Sequence, residues 1–176
     1  MPAPLILALD VSARACGMAF GRSDALPQTA VKAFRRKGES IDIAIDAIAL
    51  FMRDLFERSP PDLVAAERYI AKVFRREPGW VRDEQLLMFS SIRTVTVCYG
   101  ATFVSETAAT IRKHFCGRAW SDNPDVDTKD MVLRQARLLG YDVGNDTDKS
   151  DACATWDWAA STHCRRSPAF ALVSKT

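Results

Sequence analysis

The chain has 176 residues, with 24 Lys and Arg against 22 Asp and Glu and a net charge of +2. At 48% hydrophobic and 26% charged residues it can bury a core, which excludes a disordered or low-complexity protein. No apolar run reaches the roughly 18 residues that cross a bilayer, and the start, MPAPLILALD, lacks the basic stretch of a signal peptide. A soluble, cytoplasmic protein without membrane partners is expected, as a single domain over residues 1–164 followed by a C-terminal tail over 165–176.

Three short strands open the chain. Leu5–Leu9 is a continuous apolar run ending at Asp10, as for a strand covered on both faces. Residues 16–20 and 29–34 read as two more strands in an antiparallel meander. From Ser40 the period changes to helical: Ile41, Ile45, Ile48, Met52, Leu55 and Phe56 share a face, Ser40 is the N-cap, and Ser59-Pro60-Pro61 stops the helix. Leu63–Ala66 is a fourth strand, ending at Glu67.

Residues 72–84 are basic, aromatic and polar around Pro78-Gly79, and read as a surface loop. Residues 86–98 are apolar nearly all round, so the helix expected there is buried against the sheet, against a partner subunit, or against both. A fifth strand covers 101–104 and a short helix runs from Thr107 through Lys113. After a second loop, 117–127, Thr128 caps a helix closed by Gly140, and a last helix spans about 148–164. The order predicts an α/β fold, a five-stranded mixed sheet with three antiparallel and then parallel strands, flanked by helices.

Two strands thus end in an acid, Asp10 and Glu67, and strand carboxyl ends face the ligand crevice of an α/β sheet. If the first and fourth strands are neighbours, the two acids converge. Asp148 and Asp151 are three residues apart on the last helix, which puts them on one face. Taken singly, Asp10 also reads as a turn residue, Glu67 as a solvent-facing side chain and Asp148 as an N-cap. Gathered together, each like pair at 4 Å would repel by ~4 kcal/mol at an effective dielectric of 20. A divalent cation removes that cost, and oxygen-only donors select Mg²⁺ or Mn²⁺. Zinc is disfavoured, because five scattered cysteines form no CxxC pair and there are only two histidines.

These residues carry a resemblance. Asp10, Arg14 and Gly17 in LALDVSARACGMAF, Glu67 in PDLVAAERYI, and Asp148 and Asp151 in DKSDACATWDWA resemble RuvC-type Holliday junction resolvases of the ribonuclease H-like superfamily. The resemblance spans residues 5 to about 164 and includes FVSETAATIRKHFCG and TKDMVLRQARLLG. It implies a ribonuclease H-like fold and a homodimeric endonuclease of DNA recombination and repair. Such an enzyme binds four-way junctions and nicks two strands symmetrically, with two metal ions per active site. Asp10, Glu67, Asp148 and Asp151 match the acidic tetrad. Arg112 and Lys129 match two basic positions near the scissile phosphate, which makes six catalytic candidates. The family's usual Pro-Gly after the first aspartate is Val11-Ser12 here, and its common Gln after the glutamate is Arg68.

For DNA contact the candidates are Arg14 and the segment after Glu67, where Tyr69, Phe74, Arg75, Arg76 and Trp80 interleave rings with cations. Arginines there can reach phosphates and an exposed ring can stack on an unpaired base. Alternatively Phe74 and Trp80 pack as loop anchors and the arginines are a solvated face. The basic run 35–37 suits solubility as readily as DNA contact. The family's habit favours a dimer interface for the helix over 86–98. Alternatives in activity are a less selective flap, fork or hybrid nuclease and a non-catalytic junction-binding protein. An actin-like ATPase would need a second duplicated domain, for which this chain is too short.

Overall fold

A computed structural model describes residues 2–68, 79–121 and 127–164, those at 79–83 as backbone only. The expected tail therefore lies outside the described residues. The elements in order are β1 (Leu5–Asp10), β2 (Cys16–Arg22), β3 (Gln28–Lys32), α1 (Ile41–Arg58) and β4 (Leu63–Glu67). They continue with α2 (Gly79–Cys98), β5 (Thr102–Glu106), α3 (Ala108–Cys116), α4 (Thr128–Leu138) and α5 (Thr147–His163).

The five strands form one sheet in the order β3-β2-β1-β4-β5. β1 pairs antiparallel with β2 and parallel with β4, and β4 pairs parallel with β5. This is the expected mixed sheet, and its centre is β1. Successive side chains of a strand point to opposite faces, so the apolar run of β1 serves two cores at once. Ile6 and Ala8 join the α3, α4 and α5 side with Ile111, Phe115, Val132 and Trp156. Leu7 and Leu9 join the α1 and α2 side with Ile48, Met52, Met88 and Ile92. Asp62 sets the register of the parallel strands. Its carboxylate accepts from the Leu5 N–H at 2.8 Å, and its own N–H donates to the Leu5 carbonyl at 2.8 Å.

α1 forms where its period places it, with the Ser40 side chain accepting from the Asp42 N–H and the Ser59 N–H donating to the Leu55 carbonyl. α5 has no polar stripe: residues 150–160 are all buried, as for a helix enclosed by sheet and neighbours. Ala152, Ala154, Ala159 and Ala160 give it the small surface that lets it lie close to the strands.

Several sequence expectations are corrected. Helix α2 begins at Gly79, so residues 79–84, read as loop, are helical. Asp127, not Thr128, is the N-cap of α4, its carboxylate accepting from the Lys129 N–H at 2.9 Å. α3 continues to Cys116, three residues beyond Lys113. β3 stops at Lys32, and β5 runs on to Glu106. Arg35 is neither solvated nor free for DNA: its side chain is 8% exposed and its guanidinium pairs with Glu84 of α2 at 2.5 Å. The helix over 86–98 is amphipathic in place, burying Met88, Ile92 and Thr96 and leaving Leu86, Leu87 and Val97 about half exposed. No described helix is long and apolar enough to cross a membrane.

Candidate active site

Each acid reaches the carboxyl end of the sheet by a different local rule. In the parallel β1–β4 ladder Leu9 lies opposite Ala66, so Asp10 and Glu67 occupy the next step on adjacent strands. They line one open recess of about 60 Å³ together with Val11, Arg68, Gln85 and Phe89. α5 supplies the other two acids. The Asp146 carboxylate caps it by accepting from the Asp148 and Lys149 N–H groups, and Asp148 and Asp151 follow on its first turns. Asp10 pairs with Gly17 across the β1–β2 ladder, and the bare Gly17 Cα lets the Asp148 backbone sit against the strand.

The four carboxylates form one electrostatic unit. Burial is the main cause that pushes the Asp10 carboxyl well above its usual range, and the charges of Asp151, Glu67 and Asp148 push it further. Asp151 is likewise raised by burial and by Asp148, against the pull of Lys129 and Arg112. The Lys129 ammonium lies 3.3 Å from Asp148 Oδ1 and 3.7 Å from Asp151 Oδ2. Burial opposes its charge, yet the field of Asp151, Asp10 and Asp148 holds its pKa above the ordinary value. Arg112, on α3, acts on Asp151 through space.

Among the described residues no three Asp, Glu, His or Cys side chains close into a ready-made cage for an ion. The donor chemistry nevertheless suits a hard divalent cation, because the coupled groups are all carboxylates and two are disfavoured as anions by burial and by one another. A cation would reverse that penalty. The nearby Cys16 thiol, pushed by burial up to about 12, stays protonated and offers no thiolate.

The structure thus brings Asp10, Glu67, Asp148, Asp151, Lys129 and Arg112 into one neighbourhood. Arg14 is exposed on the turn after β1, where its N–H donates to the Ser12 hydroxyl at 3.4 Å. Tyr69, Phe74, Arg75 and Arg76 lie outside the described residues, as does the Trp80 side chain. Sequence reasoning missed Gln85 and Phe89, whose i, i+4 spacing would have signalled one helix face had α2 been traced back to its start. It also missed Arg68 as a structural residue. Its backbone N–H donates to the Glu106 carbonyl at 2.6 Å and its guanidinium to the Ser105 carbonyl at 3.0 Å, over the end of β5.

No family model matches the sequence, and no curated protein does. Solved structures do. The chain superposes on Thermus thermophilus RuvC in complex with Holliday junction substrate with a TM-score of 0.68 at 12% identity, covering 92% of this chain and 97% of that one. A second Thermus thermophilus RuvC structure gives 0.67 at 13% identity, covering 91% and 97%. The yeast mitochondrial Holliday junction resolvase Ydc2 gives 0.61 at 13% identity, covering 93% and 83%. The fold of this chain is therefore the ribonuclease H-like fold of the RuvC-type resolvases, reached with little sequence identity.

Proposed function

We propose that the protein is a metal-dependent, structure-selective DNA endonuclease that resolves four-way junctions by paired symmetric nicks. The observation that carries this reading is the placement of four coupled carboxylates with Lys129 and Arg112 at one end of a resolvase-like sheet. A protein that only binds DNA gains nothing from four acids facing a phosphate backbone, since they repel it.

Asp10, Glu67, Asp148 and Asp151 would hold two Mg²⁺ or Mn²⁺ ions, which supply water activation and stabilisation of the leaving 3′ oxygen during in-line attack. Asp10, on the central strand and under the charge of all three other acids, would be the central donor of that set. Lys129 and Arg112 place positive charge where the phosphorane becomes more negative, and their positions are set before DNA arrives. Arg14 flanks the same end of the sheet and is free of the acid pocket, which suits a backbone phosphate contact.

Symmetric nicking needs two sites related by a two-fold axis, hence a homodimer. The half-exposed Leu86, Leu87 and Val97 of α2 support a second copy packing there. The test offers purified protein a mobile four-way junction, a flap and a linear duplex, each with Mg²⁺, Mn²⁺ or EDTA. Junction cutting that requires the cation and is lost in Asp10→Asn and Asp151→Asn is the expected result. Equal cutting of junction and linear duplex would reject resolution, and cutting that survives both substitutions would reject the site.

A further inference from the structure

We propose that Arg35 is a positioning residue for the acid recess: it ties the chain that follows Asp10 to the start of α2, and so fixes how Gln85 and Phe89 face Asp10 and Glu67. The proposal rests on the reading of the protein as a branched-DNA nuclease and gives a role in it to a residue outside the acid set.

The recess has two flanks. α5, with Asp148 and Asp151, packs on one face of the sheet, while α2 packs on the other, where Met88 and Ile92 share a core with Leu9 and Val64. The α2 flank reaches the sheet end through Gln85 and Phe89, which line the recess with Asp10, Val11 and Glu67. Phe89 is held by an edge-on contact with Phe103, the ring centroids 5.3 Å apart.

Arg35 holds the start of the same helix. Its backbone N–H and that of Phe34 both donate to the Ala13 carbonyl at 3.2 Å, on the turn after Asp10 and Val11. Its guanidinium donates to the Glu39 carbonyl at 3.1 Å and pairs with Glu84, the residue before Gln85, at 2.5 Å. One residue thus joins the two segments from which Val11 and Gln85 enter the recess.

Stability alone does not account for this pair. The Arg35 side chain is 8% exposed and that of Glu84 18%, and Arg35 Nε has no hydrogen-bond partner among the described residues. Desolvation cancels much of the attraction between two buried charges, and apolar side chains of similar volume hold as firmly. Apolar contact has no direction, however. The guanidinium fork has one, because its donors are fixed in a plane and two of its nitrogens are engaged at once. It therefore sets the angle of the helix start, which the apolar packing of Met88 and Ile92 further along leaves open.

The experiment uses the full chain and the double variant Arg35→Met, Glu84→Met, which leaves no buried charge unpaired. With three glutamines and two asparagines the chain has few side-chain amides. The Gln85 amide is therefore resolved in a proton–nitrogen correlation spectrum and assigned by its loss in Gln85→Met. In EDTA without DNA, the double variant should shift that signal and leave those of Gln28 and Gln135 in place. Should the double variant not fold, Arg35→Lys reads the same signal, since an ammonium keeps the charge beside Glu84 but lacks the planar fork. With Mg²⁺, well below its melting temperature, the double variant should cut the four-way junction about tenfold to hundredfold more slowly at unchanged junction affinity, the scale of a ~1 Å misplacement. An unmoved Gln85 amide overturns the proposal, as does a folded double variant that cuts at the wild-type rate or loses affinity alone. If the wild-type protein cuts neither junction nor duplex, the functional reading fails, and the amide signal then decides Arg35 by itself.

Discussion

A methyl group built on Gly17 would lie 2.0 Å from the Asp148 carbonyl oxygen and 2.5 Å from its carbon. Gly17 is also the ladder partner of Asp10. One glycine therefore sets how closely the helix bearing Asp148 and Asp151 approaches the strand bearing Asp10. The obstacle to any larger residue is backbone, which cannot rotate aside as a flexible side chain would.

Gly17→Ala should push the first turn of α5 off β2 and spread the acids. An overpacking cost of about 1–3 kcal/mol is expected, with junction cutting reduced more than junction binding. Thermal unfolding and single-turnover cutting, measured together, check this. Wild-type cutting by Gly17→Ala would mean the acids do not need this approach.

Asp10→Asn should stabilise the cation-free protein while abolishing cutting. The sign follows from the raised Asp10 carboxyl. A carboxyl that holds its proton more tightly folded than unfolded contributes stability below the unfolded value of 3.8, and loses it as pH rises through the folded value. In EDTA the wild-type melting temperature should fall across that window, and Asp151 adds in the same direction. Asp10→Asn should flatten the fall and remove the stabilisation that Mg²⁺ gives the wild type. Melting curves from pH 4 to pH 8, with and without Mg²⁺, read both effects. A wild-type melting temperature that rises over this range in EDTA contradicts the assignment.

Lys129→Met should lower the cutting rate by about 10²–10³-fold, the cost of losing one preorganised group that stabilises developing charge. Lys129 also draws down the pKa values of Asp10 and Asp151. Without it those carboxyls rise further, so the acid limb of the pH–rate profile should move to higher pH. A reduced rate with an unmoved acid limb would mean that Lys129 does not tune the carboxylates.

Tyr141→Phe should cost about 1 kcal/mol, or about 2–4 °C in melting temperature for a domain of this size, with cutting unchanged. The Tyr141 hydroxyl donates to Asp157 Oδ1 at 3.0 Å, and His114 Nε2 lies 3.2 Å from Asp157 Oδ2. Asp157 is fully buried, so these contacts join α3, α5 and the segment after α4 away from the acid pocket. Asp157→Ala should be more damaging, because it leaves Tyr141 and His114 without a shared acceptor. Thermal unfolding measures both variants, and a melting temperature unchanged in Tyr141→Phe would discount the bond.

What the residues alone determined was mostly local. The period of α1, its Ser40 cap and its proline stop depend on neighbours within one or two turns, so that helix is readable in one dimension. So are the two apolar strands that end in Asp10 and Glu67, because a strand buried on both faces must be apolar throughout. The pairing of those acids was legible only as a condition on strand order.

The tertiary structure decided the rest. That β1 adjoins β4 depends on contacts more than fifty residues apart in sequence, as in the two hydrogen bonds between Leu5 and Asp62. Helix α5 has no amphipathic period to read, since the fold encloses it on every side, and its buried Asp157 looks like a surface acid until Tyr141 and His114 arrive from elsewhere. Arg35 reads as a solvated cation until Glu84 meets it. Periodicity records which side of an element is covered, but it carries no information about what covers it, and the chemistry of this site lies in that second fact.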